Sequence, residues 1–299
     1  MSNLELSRAQ RLDQKVVELF PTLSRAYAGK LIEQGKVTVN GQVVNKAGYK
    51  LRPDDAVVAD YDEKLEAAIP DIELPVLYED DDCVVINKPI GVLTHSKGAF
   101  NPEATVASWL RQRLISGAWQ ATADASGNAR AGIVHRLDRA TSGVMICAKT
   151  PGALSWLQRQ FSLRKAHKMY VAIVAGELSE PHAVIDMPIE RNPKKPQTFR
   201  VGVNGKPAIT EYRVLKARNG YSLLELRPQT GRTHQLRVHL SNLGHPIVGD
   251  VLYGGKPAER LYLHAAGLEL TLPNRERKTF AASLPADFED GMGGKSQDE

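Results

Sequence analysis

An aspartate between two arginines is the residue group best placed to do chemistry in this 299-residue chain. Asp138 lies between Arg136 and Arg139 in a polar turn that has apolar residues on both sides. Nearby cations favour the ionised form of a carboxyl group, which can then act as a nucleophile or as an electrostatic partner. The same turn is also explained by Asp138 and Thr141 capping backbone amides, which is a purely structural role. This segment alone leaves both interpretations open.

The elements that must hold this turn alternate between short apolar runs and amphipathic segments, which predicts a mixed α+β body. Strands are predicted at residues 84–87, 133–134, 144–148, 170–174, 210–215 and 223–226, and helices at 105–114, 153–161 and 233–243. A cap at Thr230 or Thr233 would place Arg232 in the first turn of the last helix. Leu236 would then face the core, and Arg237 would point elsewhere.

Three further segments accompany the aspartate turn. The first is Asn-Lys-Pro-Ile-Gly-Val from Asn87, a sharp turn after an apolar strand. The second opens a strand at Tyr170 just after the basic cluster at 164–168. The third is Thr-Gly-Arg-Thr-His-Gln-Leu-Arg-Val-His from Thr230, which on its own is also typical of a solvated cationic helix.

The N-terminal part has a separate pattern. Helices are predicted over residues 11–20 and 24–34, and Gly35 stands where a helix C-terminal glycine belongs. Alternating residues on both sides of Asn40-Gly41 predict a hairpin, because a type I′ turn needs positive φ at both central positions. A last short strand is predicted at 57–58.

These segments, with their order and spacing, resemble two known families. Residues 10–60 resemble the S4 RNA-binding domain, and that resemblance implies RNA contacts for Arg11, Arg25 and Lys30. The rest is similar to the RluA-type RNA pseudouridine synthases, above all to the S4-bearing enzymes that act on large-subunit ribosomal RNA. The resemblance implies an α+β fold with a central, mainly antiparallel sheet, and a uridine isomerisation that uses no cofactor and no metal.

The same resemblance assigns roles by motif. Asp138 is the expected nucleophile, attacking either ribose C1′ or uracil C6. Tyr170 is expected to pack on the target base and to assist removal of the C5 proton, and Arg232 is expected to pair with Asp138. A uridine in structured RNA must leave its stack to be reached, so His135, Arg136 or Arg139 is expected to fill or hold the vacated site. The substrate-binding positions are His135, Arg136, Arg139, Leu263, Arg237 and Lys88.

Composition and charge fit this interpretation. A net charge of +5 suits a polyanionic partner without proving one. Residues 191–206 carry five basic and no acidic side chains, which favours phosphate contacts, although a merely solvated loop is the alternative. Cys83 and Cys147 lie in apolar runs and are expected to be buried core thiols. We expect a cytoplasmic monomer without membrane attachment.

The expected organisation is an S4-like domain at residues 1–62, a linker at 63–75, a catalytic domain at 76–285 and an acidic, disordered tail at 286–299. RNA is the expected partner, either ribosomal RNA or an assembling large subunit, with transfer RNA as the alternative substrate. A non-catalytic RNA-binding or ribosome-assembly factor on the same fold is the alternative from another class. The joint presence of Asp138, Tyr170 and Arg232 counts against it.

Overall fold

The computed structural model describes residues 10–20, 23, 25–61, 71–95, 103–114, 132–288 and 292. The chain divides into two compact units. The first takes in residues 1–73 and 95–131, and the second takes in residues 74–94 and 132–299. The domain boundaries expected from the sequence stay a prediction.

The first unit begins with two helices and a three-stranded antiparallel sheet of order β2-β1-β3. The elements are α1 (Leu12–Leu19), α2 (Arg25–Glu33), β1 (Val37–Val39), β2 (Gln42–Val43) and β3 (Val57–Ala59). Leu12, Val16 and Ile32 are completely buried, so the apolar spacing of the helices defines the core of this unit. Asn40 (φ 53°) and Gly41 (φ 77°) form the turn between β1 and β2, which confirms the predicted hairpin.

A third helix, α3 (Val106–Arg113), also belongs to the first unit. Its start is fixed by a reciprocal pair of hydrogen bonds. The Ser108 amide donates to the Thr105 hydroxyl at 3.0 Å, and the Thr105 amide donates to the Ser108 hydroxyl at 2.8 Å. The helix predicted over residues 105–114 is confirmed.

The second unit is built on one mixed sheet of order β4-β5-β6-β13-β7-β12-β11-β8, with β14 paired to β13. Its elements are β4 (Val76–Glu79), β5 (Cys83–Lys88), β6 (Ser142–Ala148), α4 (Pro151–Ser162), β7 (His167–Ala175), β8 (His182–Asp186), β9 (Ile189–Arg191), β10 (Phe199–Val201), β11 (Ile209–Arg218), β12 (Tyr221–Pro228), α5 (Gln235–Asn242), β13 (Leu263–Thr271) and β14 (Arg277–Ala281). Among its described pairings only β6 with β13 is parallel, so the predicted mainly antiparallel sheet is confirmed. β9 and β10 form a separate hairpin.

The middle of the sheet is the core. All seven residues of β6 are buried, and α4 packs against β6 and β13. Cys83 and Cys147 are buried free thiols, as predicted. β6 and β13 approach so closely at Gly143 (φ 118°) that a Cβ there would collide with the backbone of Ala265. This glycine fixes the point at which the Asp138 turn enters the sheet.

Three local predictions are corrected. Residues 133–134 do not form a strand, because the chain makes a single bridge between Ile133 and Cys147 before it turns towards Asp138. Helix α5 begins at Gln235 and its N-terminal cap is His234, so neither predicted threonine caps it.

The third corrected prediction concerns the acidic tail, which was expected to be disordered from residue 286. Ala286–Phe288 forms a 3-10 turn, and the ring of Phe288 is 3% exposed and packs edge-on against Tyr262 at 5.5 Å. An aromatic side chain that joins the core orders the backbone that carries it. The predicted tail therefore does not include these three residues.

Candidate active site

The loop that follows β5 supports the turn that carries Asp138 through hydrogen bonds to the backbone of that turn. The Thr94 hydroxyl donates to the Leu137 carbonyl at 2.8 Å, and the Gly91 amide donates to the Arg139 carbonyl at 2.8 Å. The turn is closed by the Thr141 amide, which donates to the Asp138 carbonyl at 3.0 Å. These backbone contacts leave the Asp138 carboxylate free to face the cavity above the turn, where its side chain is 22% exposed.

Lys88 belongs to this support and not to the substrate surface. It is completely buried, and its ammonium donates to the carbonyls of Pro89 and Val92, both at 2.8 Å, and to that of Arg139 at 3.4 Å. Burial lowers the pKa of Lys88 to about 8, although the charge of Asp138 opposes this shift. Because its three N–H bonds are used within the protein, the predicted substrate contact of Lys88 is wrong.

The cation beside Asp138 is Arg237. One guanidinium N–H of Arg237 lies 3.4 Å from the Asp138 carboxylate. The other side of the guanidinium binds Asp250 through two hydrogen bonds of 2.7 Å, and the Asp250 side chain is 1% exposed. Burial by itself would lower the pKa of Arg237, but its bonds to Asp250 and the charge of Asp138 raise that pKa overall. Arg237 therefore remains a cation beside the Asp138 carboxylate.

The predicted pairing of Arg232 with Asp138 is wrong. Arg232 donates instead to the Pro207 carbonyl at 3.0 Å, and it lines the rim of the cavity. The reason lies in the start of α5, which begins three residues after Arg232. Arg237 is thus the arginine on the buried side of the first turns, and the structure corrects its predicted role from substrate contact to partner of Asp138.

A histidine and a tyrosine complete the surroundings of the carboxylate. His234 Nε2 lies 3.6 Å from Asp138, and His234 Nδ1 lies 2.7 Å from the Tyr253 hydroxyl. Burial lowers the pKa of His234, although the charge of Asp138 opposes this. The guanidinium of Arg237 lies 4.9 Å from the centre of the Tyr253 ring. Sequence reasoning assigned no role to His234, Tyr253 or Asp250, although all three stand in or just after the motif that was singled out.

The cavity above Asp138 has a volume of about 540 Å³, and its walls include Tyr170 and Leu263. Tyr170 lies on β7, and Leu263 opens the neighbouring strand β13. Burial and the charge of Asp138 raise the pKa of Tyr170, so its phenol stays protonated near neutral pH. A flat apolar wall beside a carboxylate can hold a planar base over it.

His135, Arg136 and Arg139 lie around the same turn. The ring of His135 stacks on Phe161 at 4.5 Å, and its Nε2 accepts the Ile146 amide at 3.1 Å. Burial and the charge of Lys168 lower the pKa of His135 to about 3, so this ring is neutral. It is fixed in the cavity wall and is not free to fill a vacated RNA stack. Arg136 and Arg139 are exposed, and Arg136 lines the cavity.

Lys168 is a cavity residue to which sequence reasoning gave no role beyond a basic cluster. Its ammonium donates to the Thr230 carbonyl at 3.1 Å, and no carboxylate among the described residues forms a salt bridge with it. Burial lowers the pKa of Lys168 to about 8. A half-buried ammonium without a salt bridge to a described carboxylate suits an anionic or carbonyl-rich ligand. Lys168 precedes Tyr170 by two residues in β7, so both side chains point to the same face of the sheet.

In the first unit, two of the three predicted RNA contacts, Arg11 and Arg25, lie around Asp13. The Asp13 carboxylate binds Arg11 at 2.9 Å and Arg25 at 3.0 Å, and these two arginine side chains are 41% and 53% exposed. Lys30 is exposed and lies 3.8 Å from Glu103. All three cations keep solvent-facing surface, and their RNA contacts stay a prediction.

The described residues contain no group of three or more His, Cys, Asp or Glu side chains arranged to hold a metal ion. None of the described helices is both long enough and apolar enough to span a bilayer.

Comparison with known proteins agrees with the geometry. The family model for RNA pseudouridylate synthase matches residues 82–242, and the S4 domain model matches residues 10–57. The chain is 38% identical to the ribosomal large subunit pseudouridine synthase D of Pasteurella multocida over 96% of this chain and 92% of that protein. It is 40% identical to the Salmonella typhimurium protein of the same name, over 83% of this chain and 74% of that protein.

A solved structure extends the agreement to the fold. Human RNA pseudouridylate synthase domain containing 1 is 30% identical, with a TM-score of 0.57 over 76% of this chain and 87% of that one. The matched residues 82–242 include Asp138, Tyr170 and Arg237, which the structure brings together around one cavity. The chain therefore belongs to the RNA pseudouridylate synthase family and carries an S4 domain in its N-terminal part.

Proposed function

We propose that this protein converts specific uridines in large-subunit ribosomal RNA to pseudouridine, with Asp138 as the nucleophile. The observation that carries the proposal is the position of Asp138. Its carboxylate lines the cavity beside Arg237, and Tyr170 and Leu263 line the same cavity. The relatives named as large-subunit pseudouridine synthases support the substrate class.

The reaction is an isomerisation and balances without another reactant. The bond between uracil N1 and ribose C1′ breaks, and a bond between uracil C5 and C1′ forms. The proton on C5 is lost and N1 gains one. The Asp138 carboxylate adds either to C1′ or to C6, and it is released when the new carbon–carbon bond has formed.

The geometry around Asp138 fits a nucleophile more than a structural carboxylate. A carboxylate held by several short hydrogen bonds has few lone pairs left for attack. Asp138 instead has one long contact to Arg237 and one to His234, and its side chain keeps partial exposure towards the cavity. Arg237 supplies the positive charge that favours the ionised form.

Tyr170 and Leu263 serve as the surfaces against which the detached base is held and turned. Enclosure is needed because a uracil freed from its ribose must rotate without escaping. Since the raised pKa keeps Tyr170 protonated, its hydroxyl can accept the C5 proton only if its own proton leaves at the same time. Asp138, whose charge contributes to that raised pKa, is the nearby carboxylate in the site that would take that proton.

The target uridine must leave its stack to reach Asp138. Arg136 and Arg139 are exposed on both sides of the nucleophile, and we assign to them the role of holding the vacated site. The S4 domain adds cationic surface through Arg11, Arg25 and Lys30 for phosphate contacts. We further propose that the protein acts in the cytoplasm as a monomer, on free or assembling large-subunit RNA.

Mapping pseudouridines in cellular RNA with and without this protein tests the substrate assignment. Cells that lack the protein should lose pseudouridine at a small set of large-subunit positions, and the wild-type protein should restore them. Restoration by Asp138→Asn would contradict the assignment of Asp138 as the nucleophile, and pseudouridine levels that do not change in cells lacking the protein would identify a non-catalytic factor. Loss confined to transfer RNA would identify the other substrate class.

A further inference from the structure

His234 lies next to the nucleophile in a backbone conformation that non-glycine residues seldom adopt. Its φ is 56°, in the left-handed region, and it caps α5, the helix that carries Arg237. Such a conformation is retained where the surrounding structure requires it, often at a functional site. The conformation places the imidazole ring between Asp138 and Tyr253, with one ring nitrogen directed to each.

The hydrogen bonds of the Tyr253 hydroxyl determine which ring nitrogen carries the proton. This hydroxyl accepts the Phe199 amide at 3.0 Å, and it lies 2.7 Å from His234 Nδ1. Its own hydrogen is therefore available to Nδ1, which then acts as an acceptor. A neutral imidazole that accepts at Nδ1 carries its hydrogen at Nε2, the nitrogen that lies 3.6 Å from Asp138.

The opposite tautomer is disfavoured by charge. It would place the lone pair of Nε2 against the Asp138 carboxylate, and two electron-rich groups would then face each other across 3.6 Å. The doubly protonated ring is also disfavoured, because burial lowers the pKa of His234. The neutral Nε2–H form remains.

Tyr253 is itself held from several sides. The Ser241 hydroxyl of α5 donates to the Tyr253 carbonyl at 2.7 Å, and Arg237 stacks over the Tyr253 ring. Phe199 of β10 contacts His234 edge-on at 5.7 Å, in addition to its amide bond to the Tyr253 hydroxyl. Arg191 of β9 lies over the Phe199 ring. The basic hairpin β9–β10 is thus joined to both His234 and Tyr253.

We propose that Tyr253 and His234 are positioning residues which direct an N–H group at the Asp138 carboxylate, and that hairpin β9–β10 holds them in place through Phe199. This inference rests on the proposed function, because it takes Asp138 as the nucleophile. The 3.6 Å separation is longer than a hydrogen bond, and the bond forms as the carboxylate moves to attack the bound uridine. Arg237 and His234 both face Oδ2 of Asp138, so together they leave Oδ1 as the oxygen that attacks.

The first test removes a single hydroxyl. Tyr253→Phe keeps the ring under Arg237 but leaves His234 Nδ1 without its donor. We expect kcat for tritium release from C5-labelled uridine in a large-subunit RNA transcript to fall about ten- to a hundredfold. KM should stay within about twofold, because the lost interaction acts on the transition state. Tyr212→Phe, a matched change in the buried core of the same unit, should leave kcat unchanged.

The second test compares two replacements of His234. One is expected to give the more stable protein and the other the more active enzyme. In His234→Gln the amide nitrogen can occupy the position of Nε2 and donate to Asp138. In His234→Asn it can reach only the position of Nδ1. Asparagine tolerates the left-handed backbone better than glutamine, so a purely structural role predicts that the Asn variant is the better enzyme. We expect the Asn variant to melt at the higher temperature and the Gln variant to have a kcat at least about tenfold higher.

Each outcome of these tests either supports or contradicts the positioning role of His234 and Tyr253. If Tyr253→Phe retains wild-type kcat, or if His234→Asn is at least as active as His234→Gln, the positioning role is wrong. If Tyr253→Phe does not fold, the comparison of the Gln and Asn variants decides alone. A wild-type protein that releases no tritium contradicts the proposed function itself, which separates that failure from a failure of the His234 and Tyr253 proposal.

Discussion

Asp138 and Asp250 share the guanidinium of Arg237, but they bind it very differently. Asp250 makes two hydrogen bonds of 2.7 Å and is 1% exposed, whereas Asp138 makes one contact of 3.4 Å and is 22% exposed. The tight pair fixes the cation, and the loose one leaves the carboxylate oxygens free for the substrate. In the proposed function, Asp250 therefore has the structural role and Asp138 the chemical one.

This difference predicts that replacing aspartate by asparagine destabilises the protein strongly at position 250 and only weakly at position 138. Asp250→Asn removes the charge that compensates a buried guanidinium, so the free energy of unfolding should fall by about 3 kcal/mol or more. Asp138→Asn removes a partly exposed carboxylate with one long contact, and the change should stay within about 1 kcal/mol. Urea denaturation at neutral pH, with the slope checked for constancy, measures both. Equal destabilisation by the two variants would contradict this difference.

The corrected arginine assignment makes a second prediction. Arg237→Lys keeps the charge but cannot bind Asp250 through two N–H groups while also reaching Asp138, so kcat should fall by about a hundredfold or more. Arg232→Ala removes a bond to a backbone carbonyl at the rim, and it should reduce kcat by no more than about tenfold. Single-turnover kinetics on the same RNA transcript compare the two. A larger loss in Arg232→Ala would restore the pairing that the sequence suggested.

Lys168 is expected to lower the stability of the protein while supporting its activity. Lys168→Met removes a half-buried ammonium whose pKa is lowered by burial, so we expect a gain in the free energy of unfolding and a loss of about tenfold or more in kcat. The exposed Lys216, replaced in the same way, should change neither quantity.

The gain from Lys168→Met should depend on pH in a fixed direction. The pKa of Lys168 is about 8 in the folded protein and about 10.4 in an unfolded chain, so the folded form bears the full burial penalty below pH 8. That penalty decreases as the pH rises from about 8 towards about 10.4. The stabilising effect of the variant should therefore be largest below pH 8 and shrink above it. A stabilisation that grows over that interval would contradict burial as the cause.

The exposed cations of the S4 domain should govern affinity and not chemistry. Arg25→Ala combined with Lys30→Ala leaves the Arg11–Asp13 pair in place, so the domain should stay folded. The slope of log K against log salt should become shallower by about two, and kcat at saturating RNA should not change. RNA binding titrated over several salt concentrations measures the slope. An unchanged slope would show that this surface does not contact phosphates.

Local patterns in the sequence predicted most of the fold because each depends on near neighbours. The apolar spacing of α1, the Asn40-Gly41 turn and the apolar run 144–148 of β6 are determined by residues close in the chain. The order of the sheet was not predicted in detail. The parallel contact between β6 and β13 joins residues more than a hundred positions apart, and no local pattern records it.

The candidate active site was also predicted only in part, because some of its contacts depend on residues distant in the chain. The motifs pointed to Asp138, Tyr170 and Leu263, but they assigned Arg232 as the partner of the carboxylate, whereas the structure places Arg237 there. That depends on where α5 begins, and a left-handed histidine, which propensity does not favour at a helix start, sets the beginning at Gln235. Lys88 was misassigned because a lysine in a loop usually faces solvent, whereas here three backbone carbonyls bind it in the interior.

The most direct test of the central claim is to replace Asp138 with Asn and measure tritium release from C5-labelled uridine together with RNA affinity. The amide has the shape of the carboxylate but cannot act as the nucleophile. We predict that RNA binding and the melting temperature stay close to wild type while pseudouridine formation falls below detection. Activity of Asp138→Asn near that of the wild type, in a folded protein that binds the same RNA, would contradict the assignment of Asp138 as the nucleophile.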